Sequence, residues 1–252
     1  QIGLPATGDH VATTGFGFDC EKPTFEMEIA PFEIAKTLVS NREFLEFVVA
    51  GMYANPAVWS YGGQQWLASN EQQHPIYWRP RQDGSWQQRF FDQWQELPLD
   101  APVMHVSFWE ADAYCRWVGR RLPNEFEWEI TARGAEANIY PWGDQSPGPS
   151  QVDMNGNALG QQHVASFSNG ATDSGCLQML GTAWEWTSSQ FLPFKGFCVD
   201  MYPYMSTLQF GDHKVARGGS CATSSCLIRN TYRQAYHPNR QDVFTGFRTC
   251  AV

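Results

Sequence analysis

SFWEADAYCRWVGRRLPNEFEWEITARG, residues 107–134, holds two helix starts within one stretch. Ser107 is followed three residues later by Glu110, and Asn124 three later by Glu127. Each pair is a capping box, in which the first side chain takes an N–H of the opening turn and the Glu reaches back. The first helix is predicted from Phe108, with Trp109, Ala113 and Trp117 on one stripe and a stop at Gly119. The second is predicted to turn Phe126 and Ile130 inward and to stop at Gly134. Ser40 and Glu43 repeat the device, opening a helix at Asn41 that buries Phe44, Phe47 and Val48. Phe25, Met27 and Ile29 alternate as in a half-buried strand. Residues 74–94 read as a hairpin turning at Asp83-Gly84, inside a tract (51–104) rich in Trp, Gln and Pro. Residues 135–175 are rich in Gly, Ser, Pro and Asn, hence loop. No repeat or linker divides the chain. The expectation is one α+β domain over residues 1–252 with much irregular structure.

Composition narrows the function classes. The 252 residues include eleven Trp and seventeen Phe, rings able to fix loop-rich structure. A net charge of −9 argues against general binding to nucleic acid or anionic membranes. No apolar run nears the roughly 18 residues of a membrane span, and no signal peptide is visible. Because the sequence starts at Gln1, it reads as a processed product or a piece of a longer chain. Seven cysteines are an odd number and show no zinc spacing. Cytoplasmic, reduced thiols are the expectation, with a mature secreted form as the alternative.

The acidic chain has one basic strip. Between Lys214 and Arg248 stand Lys214, Arg217, Arg229, Arg233, Arg240 and Arg248 against a single acid, Asp242. Guanidinium forks bind carboxylates in pairs of hydrogen bonds, so such a strip suits an anionic or zwitterionic ligand. The same forks also serve as internal clamps. Arg229 and Arg233 are expected to act together on one ligand carboxylate, with Asn230, Gln234, Tyr236, His237 and the facing Phe194 completing the pocket. Arg248 is expected to be a clamp.

Five ordered segments, AYCRWVGRRLPNEFEWEITARG, YPWGD, GCLQMLGTAWEWTSS, ARGGS and GFRTC, resemble the formylglycine-generating-enzyme family, whose domain is a variant of the C-type lectin fold. Within it, LIRNTYRQAYHPNRQDVFTGFRTC is similar to the C-terminal domain of sulfoxide synthases that make ergothioneine, ovothiol or selenoneine. HPIYW and QFLPFKGF lean toward the selenoneine-type branch.

The resemblance implies non-haem iron, held by an HxxxHxE motif in a separate N-terminal domain. Here the histidines (10, 74, 105, 163, 213, 237) contain no such spacing. Iron is therefore expected only through a partner domain, and the chain alone is expected not to bind Fe(II) tightly. Where relatives place an Asn-Trp-Asp-like triplet for substrate, this chain has Gln234-Ala235-Tyr236, so Tyr236 offers a cation–π contact in place of a carboxylate. Phe194 stands where a catalytic Tyr is expected.

Two metal sites follow from the same likeness. Cys221 and Cys226 share the spacing of a copper(I) pair, and Asp153, Asn155 and Asn157 form a calcium-type oxygen loop or a plain turn. Three functions result: a substrate-binding domain of a sulfoxide-synthase-like enzyme, a retroelement-diversified protein binding a protein ligand, and a copper-dependent formylglycine-generating oxidase.

Overall fold

All three capping boxes form, and they fix where the chain turns helical. The computed structural model describes residues 1–5, 16–200 and 206–252. Helix α1 (Asn41–Val49) starts with Ser40 accepting from the Glu43 amide while Glu43 returns to the Ser40 amide. Helix α2 is Tyr61–Asn70, α3 Phe108–Trp117 and α4 Glu125–Arg133. The boxes at Ser107 and Asn124 close in the same way. Phe44, Phe47 and Val48 are buried, as the sequence predicts.

Two helices sit rotated from their predicted registers. On α3 the deepest side chains are Phe108, Ala111, Tyr114 and Cys115, besides Ala113, while Trp109 and Trp117 are half-buried. Trp109 stays at the rim because its indole N–H donates to Asn239 Oδ1 at 2.7 Å. On α4, Phe126 and Ile130 are only half-buried. Glu125, Trp128, Glu129 and Ala132 are buried instead. Carboxylates go inward there because arginines wait beneath them.

The hairpin turns as predicted, with Gly84 left-handed at its tip (φ +84°). Strands β1 (Trp78–Pro80), β2 (Trp86–Phe90) and β3 (Gln93–Glu96) form a small antiparallel sheet in that order. The strand expected at Phe25–Ile29 is absent. Phe25 makes an isolated bridge to Ile2, and Met27 is 45% exposed. Among the described residues the next pairing comes only at Glu33 and Ile34, against residues 250–251, so the alternation at 25–29 has no strand beside it.

A second sheet combines β4 (Trp184–Gln190), β5 (Lys214–Arg217), β6 (Arg233–Tyr236) and β7 (Thr245–Gly246) in the order β6-β5-β4-β7. Neighbours are antiparallel except β4 and β7. The main core packs α1, α3 and the small sheet against β4 and β7 through rings, among them Phe44, Phe47, Trp59, Trp78, Tyr114, Trp186 and Phe247. Helix α2 was hidden in the sequence by Gly62-Gly63. A side chain at Gly62 would stand 2.5 Å from the Trp109 indole, so the glycine lets the two helices meet. No helix among the described residues is long and apolar enough to cross a membrane.

Candidate functional site

The second sheet has two chemically different faces, and its register assigns every side chain to one of them. Glu185 pairs with Arg217, and Arg217 with Arg233, so these three share a face. Trp186 pairs with Ala216, Ala216 with Gln234, and Lys214 with Tyr236, so these lie on the other.

The first face is an ionic layer under α4. Arg233, 2% exposed, donates to Glu125 from Nε (2.7 Å) and Nη2 (3.0 Å) and to the carbonyls of Cys20 and Leu192. Its guanidinium also lies 4.0 Å over the Phe194 ring. Arg217 donates to Glu129 at 2.5 Å and to the carbonyls of Asn230 and Thr231. Arg248, fully buried, grips Glu185 at 2.6 and 2.9 Å and also bonds the carbonyls of Ala35, Lys36 and Leu177. Burial pushes the Glu185 carboxyl up, and Arg248 opposes the shift. Beyond the edge of the sheet Arg229 grips Glu21 with Nε and Nη2, and Thr231 adds a third bond to that carboxylate.

Arg229 and Arg233 therefore do not converge on one carboxylate. They hold Glu21 and Glu125 respectively, both inside the protein. Glu127, on the same helix as Glu125, pairs with Arg121 at 2.7 and 2.8 Å. Asn230 is buried, its amide tying the carbonyls of Ala132 and Asn138. Phe194 is buried on the ionic side against Phe25 and Arg233. For Arg233 alone, sequence parity held the signal: in a strand, Arg233 must face opposite to Gln234 and Tyr236.

The second face keeps accessible chemistry. Tyr236 is half-buried, with Trp184 and Trp186 rings 6.3 and 6.2 Å away. Trp184 in turn meets Tyr232 edge-on at 5.1 Å, and Phe18 stacks on Tyr232 at 5.4 Å. Burial pushes the Tyr236 phenol up to about 12, so near neutral pH it is a hydrogen-bond donor. Gln234 is half-buried beside it, and His237 is exposed just beyond, 5.9 Å from His213. Arg240, absent from the predicted site, lies 5.6 Å over the Tyr236 ring and pairs with Asp242 at the surface. An aromatic floor, a phenol, an amide and an outward guanidinium thus stand together.

Comparison with known proteins now gives this arrangement a family. The sulfatase-modifying factor enzyme 1-like domain matches residues 4–251. The chain belongs to that family. Its fold is accordingly the lectin-like α+β fold of formylglycine-generating enzymes, as the sequence predicts. Relatives include proteins named hercynine oxygenase from Mycolicibacterium thermoresistibile, 34% identical over 96% of this chain, and from Mycolicibacterium smegmatis, 36% identical over 96%. The chain spans 55% and 58% of those two relatives' lengths. Among solved structures, PvdO from Pseudomonas aeruginosa superposes with a TM-score of 0.66 over 99% of this chain and 89% of its own, at 16% identity. That likeness concerns the fold alone.

The metal ligands suggested by the family resemblance meet a less welcoming geometry in this family member. All seven cysteines are unpaired. Cys221 is fully buried and its thiol is pushed up to about 12 by burial and by Asp153, whereas Cys226 is exposed and 3.2 Å from the Ser224 hydroxyl. The two thiols of the copper-type spacing thus stand in unlike environments, one in the interior and one at the surface. The Asp153 carboxylate is capped by the amides of Ala158 and Gly160, and the Asn155 side chain by that of Ser225. Those oxygens, with Asn157 alongside, organise a turn rather than an open calcium cage. Among the described residues no three His, Cys, Asp or Glu side chains gather to hold a metal; His10 lies outside them.

Proposed function

We propose that this chain is the ligand-holding domain of an oxygenase acting on a small zwitterion of the hercynine type. Its iron is supplied by residues outside those described. The observation that carries the reading is the Tyr236 surface: a half-buried phenol ring against Trp184, with Gln234 beside it and Arg240 above. It stands in a chain similar to hercynine oxygenases along 96% of its length.

Hercynine is trimethylated histidine, a quaternary ammonium next to a carboxylate. Aromatic faces attract quaternary ammonium groups, and an exposed guanidinium attracts a carboxylate. Tyr236 presents the ring, and Arg240, 5.6 Å over it, presents the guanidinium when its surface pairing with Asp242 is exchanged for the ligand carboxylate. Gln234 adds an amide that bonds an imidazole nitrogen in either tautomer. Iron and oxygen would supply the oxidation; this chain's residues bind the zwitterion and fix its orientation.

The test is a calorimetric titration of the purified natural polypeptide with hercynine. Saturable binding is expected, and Tyr236→Ala should weaken it about 5- to 30-fold, the equivalent of about 1–2 kcal/mol. Melting should fall somewhat, because the Tyr236 ring packs on Trp184 and Trp186, so binding is compared at a temperature where both proteins are folded. Absence of saturable binding, or equal binding by Tyr236→Ala, would contradict the reading.

A further inference from the structure

A cavity of about 280 Å³ opens between the turn that joins β2 to β3, the residue before β1 and the segment before α3. Its walls are Tyr77, Phe90, Phe91, His105 and Phe244, with Arg89 at its edge. The rings form a continuous lining: Tyr77 to His105 is 4.9 Å and His105 to Phe244 is 5.0 Å. His105 Nδ1 faces the Gln241 carbonyl at 3.2 Å, which pins the ring as one wall. Burial pulls the His105 pKa down, so near neutral pH the ring is an uncharged hydrogen-bonding group.

Three features mark this as a ligand cavity rather than a packing gap. First, Phe91 and His105 both have left-handed backbones (φ +52° and +60°). Residues with side chains avoid that conformation, and when held in it they cluster at ligand sites. Second, Phe91 remains 64% exposed at the mouth, where a large ring gains little from folding. Third, Arg89 spends its Nε on the Phe91 carbonyl (2.9 Å) and has no carboxylate partner among the described residues. An exposed cation fixed at the mouth of an aromatic cavity selects for an anion. At its inner end the cavity continues to Gln88 and Gln161, whose side chains are bonded at 2.8 Å.

We propose that this cavity is a second small-molecule site, taking an aryl-substituted carboxylate with its ring among Tyr77, Phe90 and Phe244 and its carboxylate at Arg89. The site is distinct from the Tyr236 surface. The two are joined by residues 240–244: Arg240 overlies Tyr236, the Gln241 carbonyl meets His105, and Phe244 lines the cavity while its carbonyl accepts from the Trp184 amide.

The probe is phenylacetate, with phenethylamine as its cationic counterpart, titrated into the natural polypeptide by calorimetry. Phenylacetate should bind saturably, and phenethylamine should not. Arg89→Gln should weaken phenylacetate tenfold or more, as expected for losing a charged hydrogen bond. Phe91→Gly should also weaken it while leaving melting unchanged or raised, since glycine suits the left-handed backbone. Tyr236→Ala should leave phenylacetate binding intact even where it impairs hercynine, so the two readings fail separately. The inference is overturned if phenylacetate does not bind or binds Arg89→Gln as tightly as wild type. It is likewise overturned if phenethylamine binds better, or if Tyr236→Ala removes the phenylacetate signal.

Discussion

Arg248→Ala is expected to lose about 3–5 kcal/mol of folding stability, read from the urea midpoint at unchanged m-value. Domains of this size hold roughly 5–15 kcal/mol in all, so much of the soluble protein should be lost on expression. Two causes add. Glu185 is fully buried, and without Arg248 its charge has no partner in a place water cannot reach. The carbonyls of Ala35, Lys36 and Leu177 lose their donor as well. Removing both charges with Arg248→Met and Glu185→Leu should restore only part of the loss, because the three carbonyls stay unsatisfied. Arg248→Lys should fall between, since an ammonium keeps the charge but cannot reproduce the fork. Wild-type stability in Arg248→Ala would refute the clamp.

Arg233→Ala should cost less, about 3 kcal/mol, by the same mechanism. Its partner Glu125 retains a second guanidinium, Arg217, at 3.8 Å, so the carboxylate is not abandoned. The stack on Phe194 and the bond to the Cys20 carbonyl go with the side chain, and that bond holds residues 19–21 over the edge of β6. Chemical denaturation of the variant measures the loss. A drop below 1 kcal/mol, together with weakened hercynine binding, would instead show Arg233 facing a ligand.

Three of the four α-helices were legible because capping is local: Ser40/Glu43, Ser107/Glu110 and Asn124/Glu127 each carry their whole signal in four residues. The hairpin at Asp83-Gly84 was legible for the same reason, and five ordered motifs carried the family. What the sequence hid is long-range. Arg229 meets Glu21 across 208 positions and Arg233 meets Glu125 across 108. No spacing rule links such pairs, so the arginine strip read as a ligand site when much of it holds the fold together. The alternation at Phe25–Ile29 misled because a strand needs a partner as well as a pattern. Of the expected site, Gln234 and Tyr236 come together on one face, with His237 just beyond. Arg229, Asn230, Arg233 and Phe194 are committed to internal contacts. Arg240 was overlooked because nothing local distinguished it from the clamps.

The division of the sheet into an ionic face beneath α4 and a ligand face around Tyr236 is the central claim, and the two faces carry different tryptophans. Trp128 lies with the clamps, 5.3 Å from the Arg217 guanidinium, and Trp184 lies beside Tyr236. Protein labelled with 5-fluorotryptophan, with each signal assigned by Trp→Phe substitution, reports on both in one fluorine NMR titration with hercynine. The expected result is a saturable shift at Trp184 with Trp128 unmoved. A shift at Trp128 with Trp184 unmoved would put the ligand among the arginines and contradict the account.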